Sequence, residues 1–533
     1  MGFLWEPAPA PLRGLRPVTI LRHTAQSACS GSPAVLGFFC ILTYGPGDSV
    51  ALTHLFARPT LAQLRDRAAA QTGFRRILGT VELSILGIGL VVGTGIFVLT
   101  GHIAAHHAGP AVWLSFLLAA VPATLAALCY AEMVSLVPAS GGAYTYVSVA
   151  MGEFAGFLMG WDLTLEYLVG TATVGIGWSG YAVAFCNHLL GHSLDARFLA
   201  PPVAFDPVAQ RWALSGAYIN APALLVVLVM TAVVVCGLQH SMRVTAALVG
   251  VKLCTIFLFI VAAAPYIRRD CLLPLVPVNQ GAFGSFGWSG VWQGASLAMF
   301  AYLGVDNLST AVQEARDAQR GVPRAIAATL VLCTALYVAV CVVLVGVVCY
   351  ADLGVADPLA VGIAATHRPW LSTCIHVGSL CGLTSVLAMQ LYGLPRILYA
   401  MGRDALLPKF CTALHPRFGT PHRSTLAMGL VCGTAAALIP IEVVGELTSA
   451  GTLLAFIFVS LSVTVTRHLY PREPRAFRVP GGAYALPALS ALSSLGLLLM
   501  SRPGTLWRLG IWLGVGSGVY YFMPRRRHSQ PQP

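Results

Sequence analysis

The side chains able to do chemistry are few, and they sit inside long apolar runs. The stretch Gly87-Ile88-Gly89-Leu90-Val91-Val92-Gly93-Thr94-Gly95-Ile96-Phe97 places four glycines in a segment that must otherwise satisfy its own backbone. Such glycines permit a break in a helix. A break exposes N–H groups at a positive dipole end, suited to a carboxylate, and C=O groups suited to an ammonium or a cation. The same glycines serve equally for close packing of small residues between helices. A dinucleotide-binding reading is poor, because the flanks are apolar spans and not a strand in a βαβ unit.

A second stretch, Phe300-Ala301-Tyr302-Leu303-Gly304-Val305-Asp306-Asn307, puts an acid and an amide beside glycine in mid-run. An ionisable group there is costly unless it meets water or a partner, so Asp306 either functions near a broken helix or is a satisfied packing residue. Phe300 and Tyr302 either cover a ligand or simply pack. Only two lysines occur, Lys252 and Lys409, and Lys252 lies within an apolar run, too deep to snorkel. Removal from water disfavours an ammonium, which equips such an amine to take up and release a proton; the alternative is a permanent salt bridge between helices. Glu166, within Leu165-Glu166-Tyr167, and Asp162 one turn earlier are the candidate partners, whereas Glu132 is expected to face cytoplasmic water.

The elements that must hold these residues follow from composition. Of 533 residues, 57% are hydrophobic and 10% charged, and mean hydropathy is +0.76. Soluble domains carry roughly a quarter charged residues, so this is an all-α polytopic membrane protein. Beta-barrel alternation is absent. About twelve spans are expected, near 84–102, 111–137, 150–188, 220–239, 245–267, 288–312, 325–350, 371–400, 424–441, 446–466, 482–500 and 506–523. The third and eighth exceed one bilayer thickness and call for tilt or extension. Residues 1–54 read as an extension that is disordered or precedes the true start, 55–523 as the transmembrane domain, and 524–533 as a tail.

The formal charge of +12 does not indicate nucleic acid, since the arginines fall in short connections and form no basic domain. With the N-terminus inside, and the first 54 residues set aside, twenty-one Lys and Arg lie on the cytoplasmic side and seven outside. This favours both termini in the cytoplasm. Fourteen cysteines show no CxxC and no Cys/His cluster, so neither a metal site nor a disulfide framework is expected, and no cofactor is called for. No nucleophile–His–acid set appears, and the chain is not read as an enzyme.

The first and sixth spans both look interruptible and lie five spans apart. An odd-numbered repeat inverts its second copy, and two broken helices at matching places would put a site near the midplane. No identity between the halves is visible.

Further motifs carry a resemblance: Gly109-Pro110-Ala111, Cys129-Tyr130-Ala131-Glu132, Gly160-Trp161-Asp162-Leu163, Trp178-Ser179-Gly180-Tyr181, Pro323-Arg324-Ala325-Ile326, His415-Pro416-Arg417 and Arg475-Ala476-Phe477-Arg478-Val479-Pro480. Together with the glycine run and Phe300 to Asp306, in this order, they resemble the amino acid–polyamine–organocation superfamily. The resemblance is especially to bacterial permeases similar to the cationic amino acid transporters, and it covers roughly Leu55 to Met523. The resemblance implies a five-plus-five inverted repeat with two added helices. It implies a substrate carboxylate held at Gly93, Thr94 and Gly95 and an amino group facing the carbonyls around Phe300, Ala301 and Leu303, with Val92, Tyr302 and Gly304 among the substrate-binding candidates. Phe300 matches an aromatic gate, Lys252 a lysine that replaces sodium in proton-coupled relatives, and Glu166 an acid of this branch; with Asp306 these are the coupling and gating candidates. Many relatives carry two adjacent acids where this chain reads Gln313-Glu314, which weakens any acidic-pair role there.

The expected function is secondary transport of an amino acid across the cell membrane by alternating access, coupled to protons, without an accessory subunit. The rivals are an obligate amino acid or polyamine exchanger, a channel, and a non-transporting sensor on the same fold.

Overall fold

Each of the twelve apolar runs carries a helix in the computed structural model, which describes residues 79–523 apart from 138–140, 192–194, 207–210, 238–241, 305–315, 317 and 417. These all fall in one unit, Phe56–Pro533; the expected extension and tail lie outside the described residues. The first helix, α1 (Thr80–Val91), stops at Val92. A second half-helix resumes at Gly95 and runs to Ala108 as alternating π and α turns, then corners at Gly109-Pro110 into α2 (Val112–Leu136).

After α2 the chain forms α3 (Gly142–Met151), where a plain connection was expected. Its side chains are buried, so burial against α4 (Glu153–Leu190) and α11 (Ile441–Leu469) makes a helix of a short, mildly apolar stretch. The α4 helix begins after Gly152 and ends at Gly191, whose left-handed backbone (φ 70°) lets its N–H close on Asn187 O. A two-stranded antiparallel sheet follows, β1 (Val203–Asp206) on β2 (Arg211–Leu214). Next come α5 (Ala221–Val235), whose cap Asn220 accepts from Ala223 N–H (3.2 Å), α6 (Met242–Ala263), α7 (Gly287–Ala298) and α8 (Ala318–Val347). The series closes with α9 (Pro369–Arg403), α10 (His422–Leu438), α11 (Ile441–Leu469), α12 (Ala485–Leu499) and α13 (Pro503–Phe522).

Among the described residues, six helical stretches can cross a membrane by length and apolarity, and α12 with α13, bent by 115°, would make a seventh; α1 and α5 are apolar but shorter. The central element is α4, packed against α3, α5, α9, α10, α11 and α13. On α13, Trp512 and Trp161 of α4 each donate an indole N–H to the other's carbonyl at 3.0 Å, with rings stacked 4.7 Å apart.

Two expectations are corrected. Cys271 and Cys349, both outside the membrane helices, form a disulfide that ties the segment after α6 to the end of α8. Their sequence separation of 78 hid the pairing, and the Arg268 N–H to Gly346 O bond (2.8 Å) brings the two segments together. Glu132 does not face water: it is 1% exposed and accepts from Arg467 Nε (2.8 Å) and Nη2 (2.6 Å), Arg475 Nη1 (3.1 Å) and Val479 N–H (2.7 Å). The arginine-rich connection after α11 folds back under α2 to reach it.

Candidate functional site

Breaking a helix in an apolar interior leaves carbonyls that something else must satisfy. At the end of α1, Val92 N–H closes on Ile88 O (2.9 Å), and the remaining acceptors are met by side chains. Lys252 of α6, 0% exposed, donates to Gly89 O (2.5 Å) and Val92 O (2.9 Å) and contacts Ser385 Oγ of α9 (3.2 Å). Its partners are thus carbonyls and a hydroxyl, and neither Glu166 nor Asp162 is among them. Those two acids lie instead against Gly451 of α11.

The sixth run breaks as well. The α7 helix tightens into a 3₁₀ turn over Met299–Tyr302, Leu303 N–H closes on Phe300 O (3.2 Å), and Gly304 adopts φ 108°, which only glycine takes easily. The two breaks meet. A Cβ on Gly95 would lie 2.4 Å from Ala301 Cβ and 2.5 Å from its Cα, so this contact requires glycine.

Tyr337 of α8 holds the breaks together: its hydroxyl sits 2.9 Å from Val91 O and 2.7 Å from Ala301 O, sharing one proton between them. Tyr181 of α4 donates to Phe97 O (2.7 Å), fixing the second half-helix. Tyr337 escaped the sequence reading, and Tyr181 entered it only within the Trp178–Tyr181 motif, without a role. The available signal was a phenol inside an apolar run, which needs a partner when buried. Tyr302, a candidate ligand contact, is turned away to Phe116 O of α2 (3.0 Å) and Thr334 of α8 (3.2 Å), because its hydroxyl too needs a partner.

Of the remaining candidates, Val92, Gly93, Thr94 and Gly95 lie in the first break, and Phe300, Ala301, Leu303 and Gly304 in the second, with Phe300 buried. Gly93 O accepts from Ile96 and Phe97 N–H (3.1 and 3.2 Å), starting the second half-helix with its positive dipole end at the break. Thr94 Oγ1 is buried with no hydrogen-bond partner, beside Gly177 of α4. Asp306 and Gln313-Glu314 lie outside the described residues. A cavity of about 250 Å³ lies behind the first break, and Gly89 and Ser385, two of the Lys252 acceptors, form part of its wall.

This is the geometry of a pair of opposed broken helices, and a family profile described as "Amino acid permease" matches residues 78–521. The chain belongs to the amino acid permease family. It is an integral membrane protein and not an enzyme. This permease is 38% identical to the "Methylthioribose transporter" of Bacillus subtilis over 479 residues, covering 90% of this chain and 99% of that protein. It is 36% identical to the "Branched-chain amino acid permease BcaP" of the same organism over 477 residues, 89% of this chain and 98% of the relative. With human "Cationic amino acid transporter 4" it shares 36% over 424 residues, 80% of this chain and 64% of the human protein.

In this permease, Tyr337→Phe is expected to leave a break carbonyl unsatisfied at about 1–3 kcal/mol. The two breaks would then be held less firmly to each other, and maximal uptake is expected to fall about tenfold while the half-saturating concentration changes little. Initial-rate uptake in proteoliposomes checks this; an unchanged rate would show the bridge to be dispensable.

Proposed function

We propose that this permease moves amino acids across the cell membrane by alternating access, with Lys252 coupling the cycle to inward proton movement. The carrying observation is the meeting of two helix breaks, with an unpartnered buried Thr94 hydroxyl and the dipole end of the second half-helix at their junction. The substrate carboxylate binds at Gly93–Gly95 and its amino group at the carbonyls of Phe300, Ala301 and Leu303, beneath Phe300. Lys252 stands where a cation would bridge the end of α1 and α9, and losing its proton there releases α1 from α6. On this reading the twelve expected spans make up a five-plus-five inverted repeat with two added helices. Branched-chain and cationic amino acid transporters among the relatives support amino acid cargo, and the methylthioribose transporter defines the control to include.

Both termini lie in the cytoplasm on this reading. The Cys271–Cys349 disulfide supports it, because disulfides persist on oxidising faces and this one joins connections that the basic-residue count leaves outside. In intact cells, an impermeant maleimide is expected to label these cysteines only after reduction by an impermeant phosphine; labelling that required permeabilisation would reverse the orientation.

Thermal-shift screening of the amino acids and methylthioribose identifies the cargo, and labelled uptake into proteoliposomes under an imposed pH gradient tests the coupling. Uptake without substrate on the opposite face separates a symporter from an exchanger. Binding with no flux in any gradient would leave a sensor.

A further inference from the structure

Asp162 has no role in the site described above, and its surroundings are unusual. It lies on α4 one turn before Glu166, is 0% exposed, and neither carboxyl oxygen has a hydrogen-bond partner. No ion pair among the described residues includes it. Across from it lies Gly451 of α11, where a Cβ would sit 3.5 Å from Asp162 Oδ1 and 3.4 Å from Glu166 Cβ. Several charged and titratable groups nearby are engaged elsewhere. Tyr144 of α3 donates to Asp404 (2.7 Å), Glu446 of α11 pairs with Arg502 (2.9 Å), and Glu132 of α2 holds Arg467 and Arg475. Glu166 is the titratable group set beside Asp162 against the same glycine.

A carboxylate ion lacking donors and a counter-charge in such a place costs several kcal/mol, whereas the neutral acid does not carry that charge penalty. The packed arrangement therefore holds Asp162 with its proton. Gly451 leaves only a glycine-sized seam, so a small withdrawal of α11 from α4 would admit water to the carboxyl. Thr94 at the first break touches Gly177, and from Gly177 back to Asp162 is about 22 Å along α4 at ~1.5 Å per residue. The acid thus lies between the breaks and the end of α4 that the proposed orientation puts in the cytoplasm.

We infer that Asp162 is a second proton-carrying residue of this permease, protonated while α4 and α11 are packed and releasing its proton to water when they part. In the release the carboxyl O–H bond breaks and the proton passes to water; the next closure takes one back. This rests on the proton-coupled reading above and adds a carrier distinct from Lys252.

The test compares wild type, Asp162→Asn and Asp162→Leu in proteoliposomes, measuring thermal midpoint and the substrate concentration ratio sustained by a one-unit pH gradient. Removing an unpartnered buried acid should leave the midpoint at or above that of wild type. The sustained ratio should fall about tenfold, the loss of one proton per substrate. Variants that sustain the wild-type ratio overturn the inference, as do variants that fail to fold, which would make Asp162 a structural anchor. A wild type indifferent to the pH gradient sinks the coupled reading itself. Loss of the response in Lys252→Ala but not in the Asp162 variants sinks this inference alone.

Discussion

Lys252→Ala is expected to abolish uptake driven by a pH gradient, with a fall of at least about tenfold in the accumulated substrate. The amine holds Gly89 O, Val92 O and Ser385 Oγ at once, so it joins α1, α6 and α9 where α1 ends. Hydrogen bonds from a charged donor contribute about 1.5–3 kcal/mol each, and alanine would also leave a hole where the stem packs. Some loss of stability is therefore expected alongside the loss of coupling. Lys252→Met separates the two, because it keeps most of the volume and removes only the donor. A folded Met variant that still accumulates substrate in proportion to the pH gradient would remove Lys252 from the coupling step. Ser385→Ala deletes one acceptor and is expected to give an intermediate effect.

Glu132→Ala is expected to destabilise the fold by about 3–5 kcal/mol, the cost of stripping one partner from a buried ion pair. The carboxylate receives two arginines and the Val479 N–H, and Ser135 Oγ adds a bond to Phe477 O (3.1 Å), so the connection after α11 is stapled to the end of α2. Burial holds Arg475, in that connection, below the ordinary arginine value, while the Glu132 charge opposes this shift. Without Glu132, two guanidiniums with 13% and 4% exposed side chains would face each other uncompensated. Glu132→Gln keeps the shape and an acceptor and is expected to be less severe. Melting in detergent, followed by size-exclusion of the heated protein, measures both; an alanine variant melting with wild type would show the staple to be energetically idle.

Much of this protein was legible in its residues. Apolar run length dictated helices at all twelve places, and glycines at 93, 95 and 304 marked the segments where two of them break. These follow from local rules: an apolar stretch in lipid satisfies its own backbone, and glycine alone tolerates close approach or positive φ. Lys252 announced itself for a similar reason, since an amine in an apolar run must meet acceptors.

Which acceptors it meets was beyond sequence, because the answer depends on where α1 stops relative to a helix more than 150 positions later. The same holds for Tyr337 across Val91 and Ala301, for Glu132 under Arg475, and for Cys271 with Cys349. Each pair is chosen by three-dimensional packing among many residues of the same type, and one-dimensional spacing carries no record of that choice. Sequence by itself settled what kind of element each run becomes and which positions are costly to bury. The tertiary structure alone decided how those costs are met, because hydrogen bonds and ion pairs between distant segments form only after the helices have packed.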